Sequence, residues 1–315
     1  MKYRRLGTSG LKVSAVSLGA WTTYGQTVEE QQTVHDILAR AIELGVNFLD
    51  NADVYARGKA EVMVGQALAD LDVPRHHVVV SSKVYWPMSD VITDRGLSRK
   101  HIRESIDKSL ARIGTDYLDI YYCHRYDAET PLEETVRAMD DLVHQGKILY
   151  WGTSEWSGAQ IAQAVGIARQ HNLYGPSVDQ PGYSLVRRAR VEKEVLPAAR
   201  AHGIGLTTFS PLANGLLTGK YDEGVPEDSR AARNESLRTR AQGDDADRVR
   251  RLKPIADDLG ISRAELALAW ILRHPEVASV ITGATKPEHV RSNARAADVA
   301  LTEDILAQMD ELFPL

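Results

Sequence analysis

One stretch of the chain, residues 102–124, reads IRESIDKSLARIGTDYLDIYYCH and carries the signals of a helix, a turn and a buried strand in succession. Its first part places apolar side chains at helical spacing, on the single face that packs against a sheet: Ile102, Ile106, Leu110 and Ile113. Gly114 follows, where a left-handed residue ends such a helix. Residues 117–124 are then mostly apolar or aromatic, as in a strand buried on both faces. The stretch therefore predicts one helix–strand unit of an α/β fold.

The same alternation of apolar runs and helical segments recurs along the chain. The predicted strands are residues 13–19, 47–50, 78–83, 117–124, 149–154, 177–180, 205–210 and 277–283. A second helical stripe consists of Val34, Ile37, Leu38 and Ala41, and Gly146 marks another helix end. Four sequences fit the capping box that begins a helix: Thr27-Val-Glu-Glu30, Thr130-Pro-Leu-Glu133, Ser157-Gly-Ala-Gln160 and Ser262-Arg-Ala-Glu265.

Eight strands alternating with helices fit either a closed barrel or an open doubly wound sheet. No predicted strand is followed by G-x-G-x-x-G, the dinucleotide fingerprint of the open fold. Polar residues instead cluster at the C-terminal ends of the strands, which share one mouth in a barrel: Asp50, Lys83, His124, Ser154 and Gln180. We therefore expect residues 1–315 to form one domain, a single (β/α)8 TIM barrel.

Three segments lie outside this repeat. Residues 3–6 and 11–13 flank the turn Gly7-Thr-Ser-Gly10 and predict an N-terminal β-hairpin that plugs the far end of the barrel. Residues 213–247 are too long for an ordinary connection, which favours a lid or binding loop, the alternative being a disordered insertion. An extra helix is expected at the C-terminus.

Composition excludes several classes of function. The formal net charge is −5, with basic and acidic residues mixed, so no extended basic surface is available for a nucleic acid. The single cysteine, Cys123, excludes an internal disulfide and a thiolate-rich metal site. The histidines include no H-E-x-x-H, which disfavours a zinc hydrolase. No signal peptide is apparent and no apolar run approaches the roughly 20 residues of a membrane span, so we expect a cytoplasmic protein.

Asp50, Tyr55, Lys83 and His124 form the most informative set, because each lies at or just after a different strand end. A tyrosine has an ordinary pKa of about 10, and a neighbouring lysine cation lowers it. Asp50 would hold that lysine, and His124 would bind a carbonyl oxygen or relay a proton. Taken singly, the lysine fits an ion-paired surface residue and the tyrosine fits packing; the combination predicts an active site.

These residues resemble a known family, the aldo-keto reductases. Asp50-Asn-Ala-Asp-Val-Tyr55 is similar to the family's D-x-A-x-x-Y signature, Ser82-Lys83 to its strand-end lysine, and Tyr122-Cys-His-Arg125 to its histidine strand. The resemblance implies that Tyr55 is the acid, that Lys83 and Asp50 tune it, and that His124 orients the substrate carbonyl.

The resemblance covers nearly the whole chain and is strongest to the branch of potassium channel β subunits and related bacterial reductases. It is carried by Arg57-Gly-Lys-Ala-Glu61, Arg95-Gly-Leu-Ser-Arg-Lys100, Thr130-Pro-Leu-Glu-Glu-Thr-Val-Arg-Ala-Met139, Tyr150-Trp-Gly-Thr-Ser154 and Phe209-Ser-Pro-Leu-Ala-Asn-Gly215. Two positions depart from the usual pattern. Asn51 stands where the signature has Thr, and His124 matches the reductases rather than the channel subunits, which have Asn there.

The resemblance also implies a nicotinamide cofactor. Ser154 and Gln180 match the pair that binds the carboxamide, and Phe209 replaces the Tyr or Trp that stacks on the nicotinamide ring. Ser210, Leu212, Gly215 and Lys220 match the residues around the pyrophosphate, and Arg230 matches the arginine that folds over it. The remaining expected cofactor residues are Gly19, Ala20, Trp21, Asp50, Pro211 and Gly283.

The sequence Gly283-Ala-Thr-Lys-Pro-Glu288 distinguishes NADPH from NADH. Thr285 is predicted at a helix N-cap, where free N–H groups favour an anion, and Lys286 adds a cation. The resemblance places the 2′-phosphate here, with contacts from Thr285, Lys286 and His289, and Asn293 near the adenine. The alternative from the residues alone is a capping box with an exposed lysine.

Aromatic residues after the strands predict an apolar substrate pocket above the nicotinamide, although such residues are as often part of the core. They are Trp21, Tyr24, Trp86, Tyr126 and Trp156. Arg125 is expected either to attract an anionic substrate or to form a surface ion pair. Cys123 should point away from the mouth, because neighbouring residues of a strand face opposite sides.

The sequence therefore predicts NADPH-dependent reduction of a small aldehyde or ketone, with Tyr55 as proton donor and no metal. The alternative is a redox-sensing subunit that holds NADPH and turns over slowly, as the channel-associated relatives suggest. Relatives form both monomers and rings, so the sequence leaves open whether this protein forms a homo-oligomer.

Overall fold

The computed structural model describes residues 1–227 and 229–315, and its centre is a closed barrel of eight parallel strands. The strands are β1 (Tyr3–Arg5), β2 (Lys12–Ser14), β3 (Val16–Gly19), β4 (Phe48–Asp50), β5 (Val79–Val84), β6 (Leu118–Cys123), β7 (Ile148–Ser154), β8 (Val178–Gln180), β9 (Gly205–Thr208) and β10 (Val277–Thr282). Strands β3 to β10 follow one another around the barrel, and β10 pairs with both β3 and β9. The predicted (β/α)8 barrel is confirmed.

Helices surround the barrel and connect its strands. They are α1 (Gln31–Glu43), α2 (Lys59–Asp70), α3 (Arg99–Ile113), α4 (Leu132–His144), α5 (Gly158–Gln170), α6 (Leu196–His202), α7 (Arg230–Arg233), α8 (Glu235–Gln242), α9 (Asp244–Asp258), α10 (Arg263–Ile271), α11 (Pro287–Arg295) and α12 (Glu303–Leu312). Both predicted helical stripes, on α1 and α3, are buried. Within the described ranges, no helix is both long enough and apolar enough to cross a membrane.

The predicted start signals are right for two helices and wrong for two. Ser157 and Ser262 form capping boxes on α5 and α10. Thr27 and Thr130 do not cap: the Thr27 hydroxyl donates to the Thr22 carbonyl and the Thr130 hydroxyl donates to Asp127, so α1 and α4 begin later in the chain. Each threonine has a competing local partner, which a spacing rule does not detect.

The predicted strand 13–19 is divided between two sheets. Its first residues belong to β2, which pairs antiparallel with β1, while β3 begins the barrel. Leu6 and Val13 of the hairpin are fully buried among barrel-interior side chains such as Phe48 and Val79, which lie at the N-terminal ends of their strands. The hairpin therefore closes that end of the barrel, as predicted.

Gly7 shows how closely the hairpin approaches the barrel. Its φ is +56°, and a Cβ at this position would lie 2.4 Å from the Gly203 carbonyl oxygen. Thr8 donates its backbone N–H to the same carbonyl at 2.9 Å. Only glycine fits this left-handed contact without displacing the backbone.

The long segment 213–247 is mostly helical rather than an irregular insertion. It contains a 3₁₀ segment, Ala213–Thr218, followed by α7, α8 and the start of α9. Asp228 of this segment lies outside the described residues. The C-terminal extra helix is α12, whose Met309 and Leu312 are buried.

Replacing Leu6 by Ala should lower the free energy of unfolding by about 2–5 kcal/mol, because it opens a cavity where the hairpin closes the barrel. The measurement is urea denaturation followed by circular dichroism. Leu11→Ala is the matched control: Leu11 is only half-buried against the same cluster, so its loss should be clearly smaller. Equal losses would contradict the closing role of Leu6.

Candidate active site

Five adjacent barrel strands end in the polar side chains that the sequence predicts. Asp50, Ser154 and Gln180 are the last residues of β4, β7 and β8, Lys83 is the last but one of β5, and His124 directly follows β6. These strands are neighbours around the barrel. Because parallel strands share one C-terminal mouth, side chains up to 130 residues apart in sequence meet there.

Lys83 is the centre of a buried hydrogen-bond network and has no exposed surface. Its Nζ donates to Asp50 Oδ2 at 2.7 Å, to the Asn51 carbonyl at 2.6 Å and to the Tyr55 hydroxyl at 3.1 Å. The other carboxylate oxygen, Asp50 Oδ1, accepts from Ser81 Oγ and from Gln180 Nε2, both at 2.9 Å. The ammonium and the carboxylate are thus held in one fixed arrangement.

The backbone directly after Tyr55 is strained. Ala56 and Arg57, directly after it, have φ of 49° and 53°, which is left-handed for residues with a Cβ. Seven of the nine such non-glycine residues in the described chain follow barrel strands at this mouth: Thr22, Ala56, Arg57, Glu155, Ser210, Ala213 and Asn214. Backbone strain of this kind collects at functional sites.

The electrostatics of Tyr55 differ from the expectation that Lys83 lowers its pKa. Burial first, and the charge of Asp50 second, raise the pKa of the Tyr55 phenol well above its ordinary value. That expectation is wrong, because burial of the phenol, and after it the charge of Asp50, outweighs the effect of the lysine cation. Tyr55 therefore keeps its proton.

His124 lies beside Tyr55, with the two ring centroids 5.8 Å apart. Burial, followed by the charges of Lys83 and Arg125, holds the pKa of His124 well below its ordinary value. Its Nδ1 is buried and has no hydrogen-bond partner among the described residues. The ring is therefore neutral and has one N–H to donate.

A cavity of about 660 Å³ opens beside Asp50 and Tyr55. Its walls include most of the predicted cofactor residues: Gly19, Trp21, Asp50, Phe209, Ser210, Pro211, Leu212, Gly215, Lys220, Arg230, Gly283, Thr285, His289 and Asn293. Among the described residues that line it, Asp50 is the only acid and is bound to Lys83, whereas Lys220 and Arg230 supply cations. The cavity therefore suits an anionic ligand.

The turn after β9 brings a cation against the backbone of this cavity. Ser210, Ala213 and Asn214 are left-handed, and Gly215 has φ of +92°. A Cβ on Gly215 would lie 2.8 Å from Lys220 Nζ, so glycine leaves the space that the ammonium occupies. Backbone turned in this way, next to an ammonium, fits a phosphate group.

Four predicted cofactor residues are absent from the walls of this cavity. Ser154 and Gln180 line a smaller adjoining cavity, Ala20 is buried, and Lys286 is exposed. Burial and then the charge of Lys286 lower the pKa of His289, which does line the cavity, so the lysine charge still reaches it.

Thr285 was predicted to be the N-cap of the helix that follows, and this prediction is wrong. The N-cap of α11 is Lys286, with φ of −159°. The reason is Pro287 in the first turn, because a residue before proline favours an extended backbone. The Thr285 hydroxyl instead lies 3.3 Å from Nδ1 of His289.

A second cavity, of about 310 Å³, adjoins the first, and both contain Trp21, Tyr55 and Phe209 in their walls. Its other lining residues are Gln26, Val54, Trp86, His124, Arg125, Ser154 and Gln180. Of the predicted substrate-pocket residues, Trp21, Trp86 and Arg125 lie here.

Tyr24, Tyr126 and Trp156 line neither of these two cavities, so the structure does not bring them together with the other predicted pocket residues. Tyr24 and Trp156 are buried in the core, and Tyr126 packs edge-on against Trp156 with ring centroids 4.9 Å apart. An aromatic residue after a strand end packs under a loop as readily as it lines a pocket.

Sequence reasoning missed several wall residues. Gln26 and Val54 line the smaller cavity, and Thr22, Asn214, Ser262 and Ser292 are among those missed in the larger one. The capping box at Ser262 was a usable signal, because it marks a helix N-terminus. The other positions carry no local signal.

Cys123 is buried among the side chains between the barrel and its helices, whereas Tyr122 faces the barrel interior. Burial raises the pKa of its thiol, which makes it unreactive. Over the part of the chain that the structure describes, no group of acids, histidines and cysteines could hold a metal ion.

Comparison with known proteins agrees with this architecture. Residues 15–313 match the model of the aldo/keto reductase family. A relative from Arabidopsis thaliana is 49% identical over 99% of this chain and 96% of its own length, and one from Oryza sativa is 49% identical over 98% and 96%. Both are named as a probable voltage-gated potassium channel subunit beta, and a Schizosaccharomyces pombe relative of similar name is 41% identical over 98% of this chain and 92% of its own. This chain therefore belongs to the aldo/keto reductase family.

Proposed function

We propose that this protein reduces small aldehydes or ketones with NADPH, and that Tyr55 donates the proton. One observation carries the proposal: the Tyr55 hydroxyl, bound to Lys83 at 3.1 Å, belongs to a residue that lines both cavities. A ligand in the larger cavity and a substrate in the smaller one would meet at this phenol.

The proton-transfer step follows from the buried network. Tyr55 is protonated in the free protein, as a general acid must be. When it gives its proton to the substrate oxygen, negative charge develops on the phenol oxygen. The Lys83 ammonium already donates to that oxygen and stabilises the charge, while Asp50 keeps Lys83 in place.

His124 would hold the substrate. Its neutral ring lies next to Tyr55 in the wall of the smaller cavity and can donate one hydrogen bond to the carbonyl oxygen. Two donors on one oxygen fix the carbonyl carbon relative to the larger cavity. The reduced nicotinamide, when bound, supplies the hydride.

The cofactor would be held by residues in both cavity walls. Ser154 donates its hydroxyl hydrogen to the Gln180 carbonyl at 2.9 Å, so its oxygen remains free to accept from a carboxamide N–H. Phe209 offers a ring face for stacking. Lys220 and Arg230 would face the phosphates, and Lys286 with Thr285 the 2′-phosphate.

The alternative is a redox-sensing subunit that binds NADPH and turns over slowly. The names of the relatives favour it, since they describe channel β subunits. Steady-state turnover on a panel of aldehydes separates the two: no NADPH oxidation while the cofactor stays bound would support the binding role.

Tyr55→Phe should lower the reduction rate by at least about 100-fold, the usual contribution of a general acid. NADPH affinity should change little, because the phenyl ring keeps its packing. The measurements are loss of reduced-cofactor absorbance and a fluorescence titration of NADPH. Unchanged turnover would refute the role of Tyr55.

The pH profile should be level over a wide range. The pKa of His124 lies below its ordinary value and that of Tyr55 above its ordinary value, so neither group titrates between about pH 6.5 and pH 10. Reduction should therefore fall only at higher pH, as Tyr55 loses its proton. A titration of kcat/KM centred near neutrality that Tyr55→Phe or a His124 variant abolishes would contradict this assignment.

Lys286→Ala should weaken NADPH binding several-fold to tens-fold and leave NADH binding nearly unchanged, because only NADPH carries the 2′-phosphate. Lys220→Ala is the matched control, since a lysine at the pyrophosphate should weaken both cofactors alike. Equilibrium titration of each variant with both cofactors tests the difference. Equal weakening by Lys286→Ala would place the 2′-phosphate elsewhere.

A further inference from the structure

Arg125 is the only charged residue among the described residues that line the smaller cavity. It is half-buried and directly follows His124 in the chain. The rest of the wall is aromatic, apolar or neutral and polar, and its large aromatic members include Trp86, Trp21 and Phe209. The cavity thus combines aromatic side chains and neutral polar groups with one cation.

The Arg125 guanidinium has no acidic partner. Among the residues that the structure describes, no carboxylate forms a salt bridge with it within 4.0 Å, and its hydrogen bond goes from Nη1 to the His124 carbonyl at 2.5 Å. The guanidinium carbon lies 5.5 Å from the centre of the Trp86 ring. Most of its five N–H groups therefore remain available to a ligand.

The acid whose charge reaches Arg125 is Glu155, whose carboxylate already accepts hydrogen bonds from three other donors. Its carboxylate accepts from Arg187 at 2.6 Å, from Arg190 at 2.8 Å and from the Gly182 backbone N–H at 2.6 Å. The charges of three arginines thus interact with one carboxylate on this side of the mouth. The excess positive charge favours an anion.

Arg125 is also close enough to the proposed reaction centre to serve the same substrate. Its charge lowers the pKa of both Tyr55 and His124, against the larger effect of burial on Tyr55. The volume of about 310 Å³ leaves room for only a small molecule. An anionic group on Arg125 and a carbonyl oxygen at Tyr55 and His124 would belong to opposite ends of one short compound.

We propose that the substrate is a small aldehyde or ketone that also carries a carboxylate, and that Arg125 binds this carboxylate through its planar fork of donors. The inference rests on the proposed carbonyl reduction. Arg125 is a specificity-determining residue here, because it selects the substrate without taking part in proton transfer.

The test compares rigid substrates that differ only in charge. The 3- and 4-isomers of carboxybenzaldehyde are each paired with the corresponding formylbenzamide, a neutral group of the same shape. The quantity measured is the ratio of kcat/KM for the carboxylate to that for the amide. We expect at least one isomer to give a ratio above about 10, and Arg125→Gln to lower that ratio about 10- to 100-fold, the range of one charge-assisted contact.

Arg200→Gln is the matched control. Arg200 is an exposed arginine of α6, paired with Glu276 and absent from the walls of both cavities. The Arg200→Gln substitution removes the same net charge as Arg125→Gln. Because Arg200 lies outside both cavity walls, the substitution should change the ratio less than about threefold. A ratio near 1 for both isomers in the wild type, or a ratio that Arg125→Gln leaves unchanged, would overturn the inference.

Failure of the inference and failure of the proposed reduction give different results. If the amides are reduced and the carboxylates are not preferred, the inference alone fails. If no carbonyl compound is reduced, the proposed reduction is refuted. The role of Arg125 is then tested separately, by calorimetric measurement of the binding of 3- and 4-(hydroxymethyl)benzoate to the NADP⁺-loaded protein. Wild-type affinity tenfold or more above that of Arg125→Gln supports anion binding at this residue, and equal affinity rules it out.

Discussion

The rest of the site depends on one buried ion pair, Lys83 with Asp50 inside a closed barrel. Taking an ammonium out of water costs several kcal/mol unless other groups compensate it. Here the compensation comes from the neighbouring strand: the register of β4 and β5 pairs Asp50 with Ser81, and Lys83 lies two residues further on the same face. The complete set of contacts to the pair therefore requires β4, β5 and β8 to be in place in the barrel.

The two ends of the barrel have different roles. At the N-terminal end, the hairpin side chains Leu6 and Val13 complete an apolar cluster whose packing stabilises the fold. At the C-terminal end, left-handed residues such as Ala56 and Ser210 store strain that packing elsewhere must offset.

The sequence was sufficient for features set by period and position. Strand ends, the buried stripes of α1 and α3, the hairpin and the meeting of Asp50, Lys83 and His124 all follow from patterns that a parallel barrel imposes. The sequence was insufficient where a competing interaction determines the local structure. Asp127 accepts the hydrogen bond of the Thr130 hydroxyl, and Pro287 places the N-cap at Lys286 instead of Thr285. Tyr24 and Trp156 are buried in the core. The predicted lowering of the Tyr55 pKa is wrong for the same reason, since the effects of burial and of the Asp50 charge outweigh that of the Lys83 cation.

Charge is distributed so that the reacting groups stay neutral while their surroundings are positive. Lys83 is balanced by Asp50, Tyr55 keeps its proton and His124 is uncharged, whereas Lys220, Arg230 and Arg125 carry charge that no acid in either cavity wall opposes. An anionic ligand in the larger cavity therefore meets a single carboxylate, Asp50, which is already bound to Lys83, and the described wall of the smaller cavity contains none. A neutral proton donor surrounded by cations also favours the step in which negative charge grows on a substrate oxygen, because the same field that binds the ligands stabilises that charge.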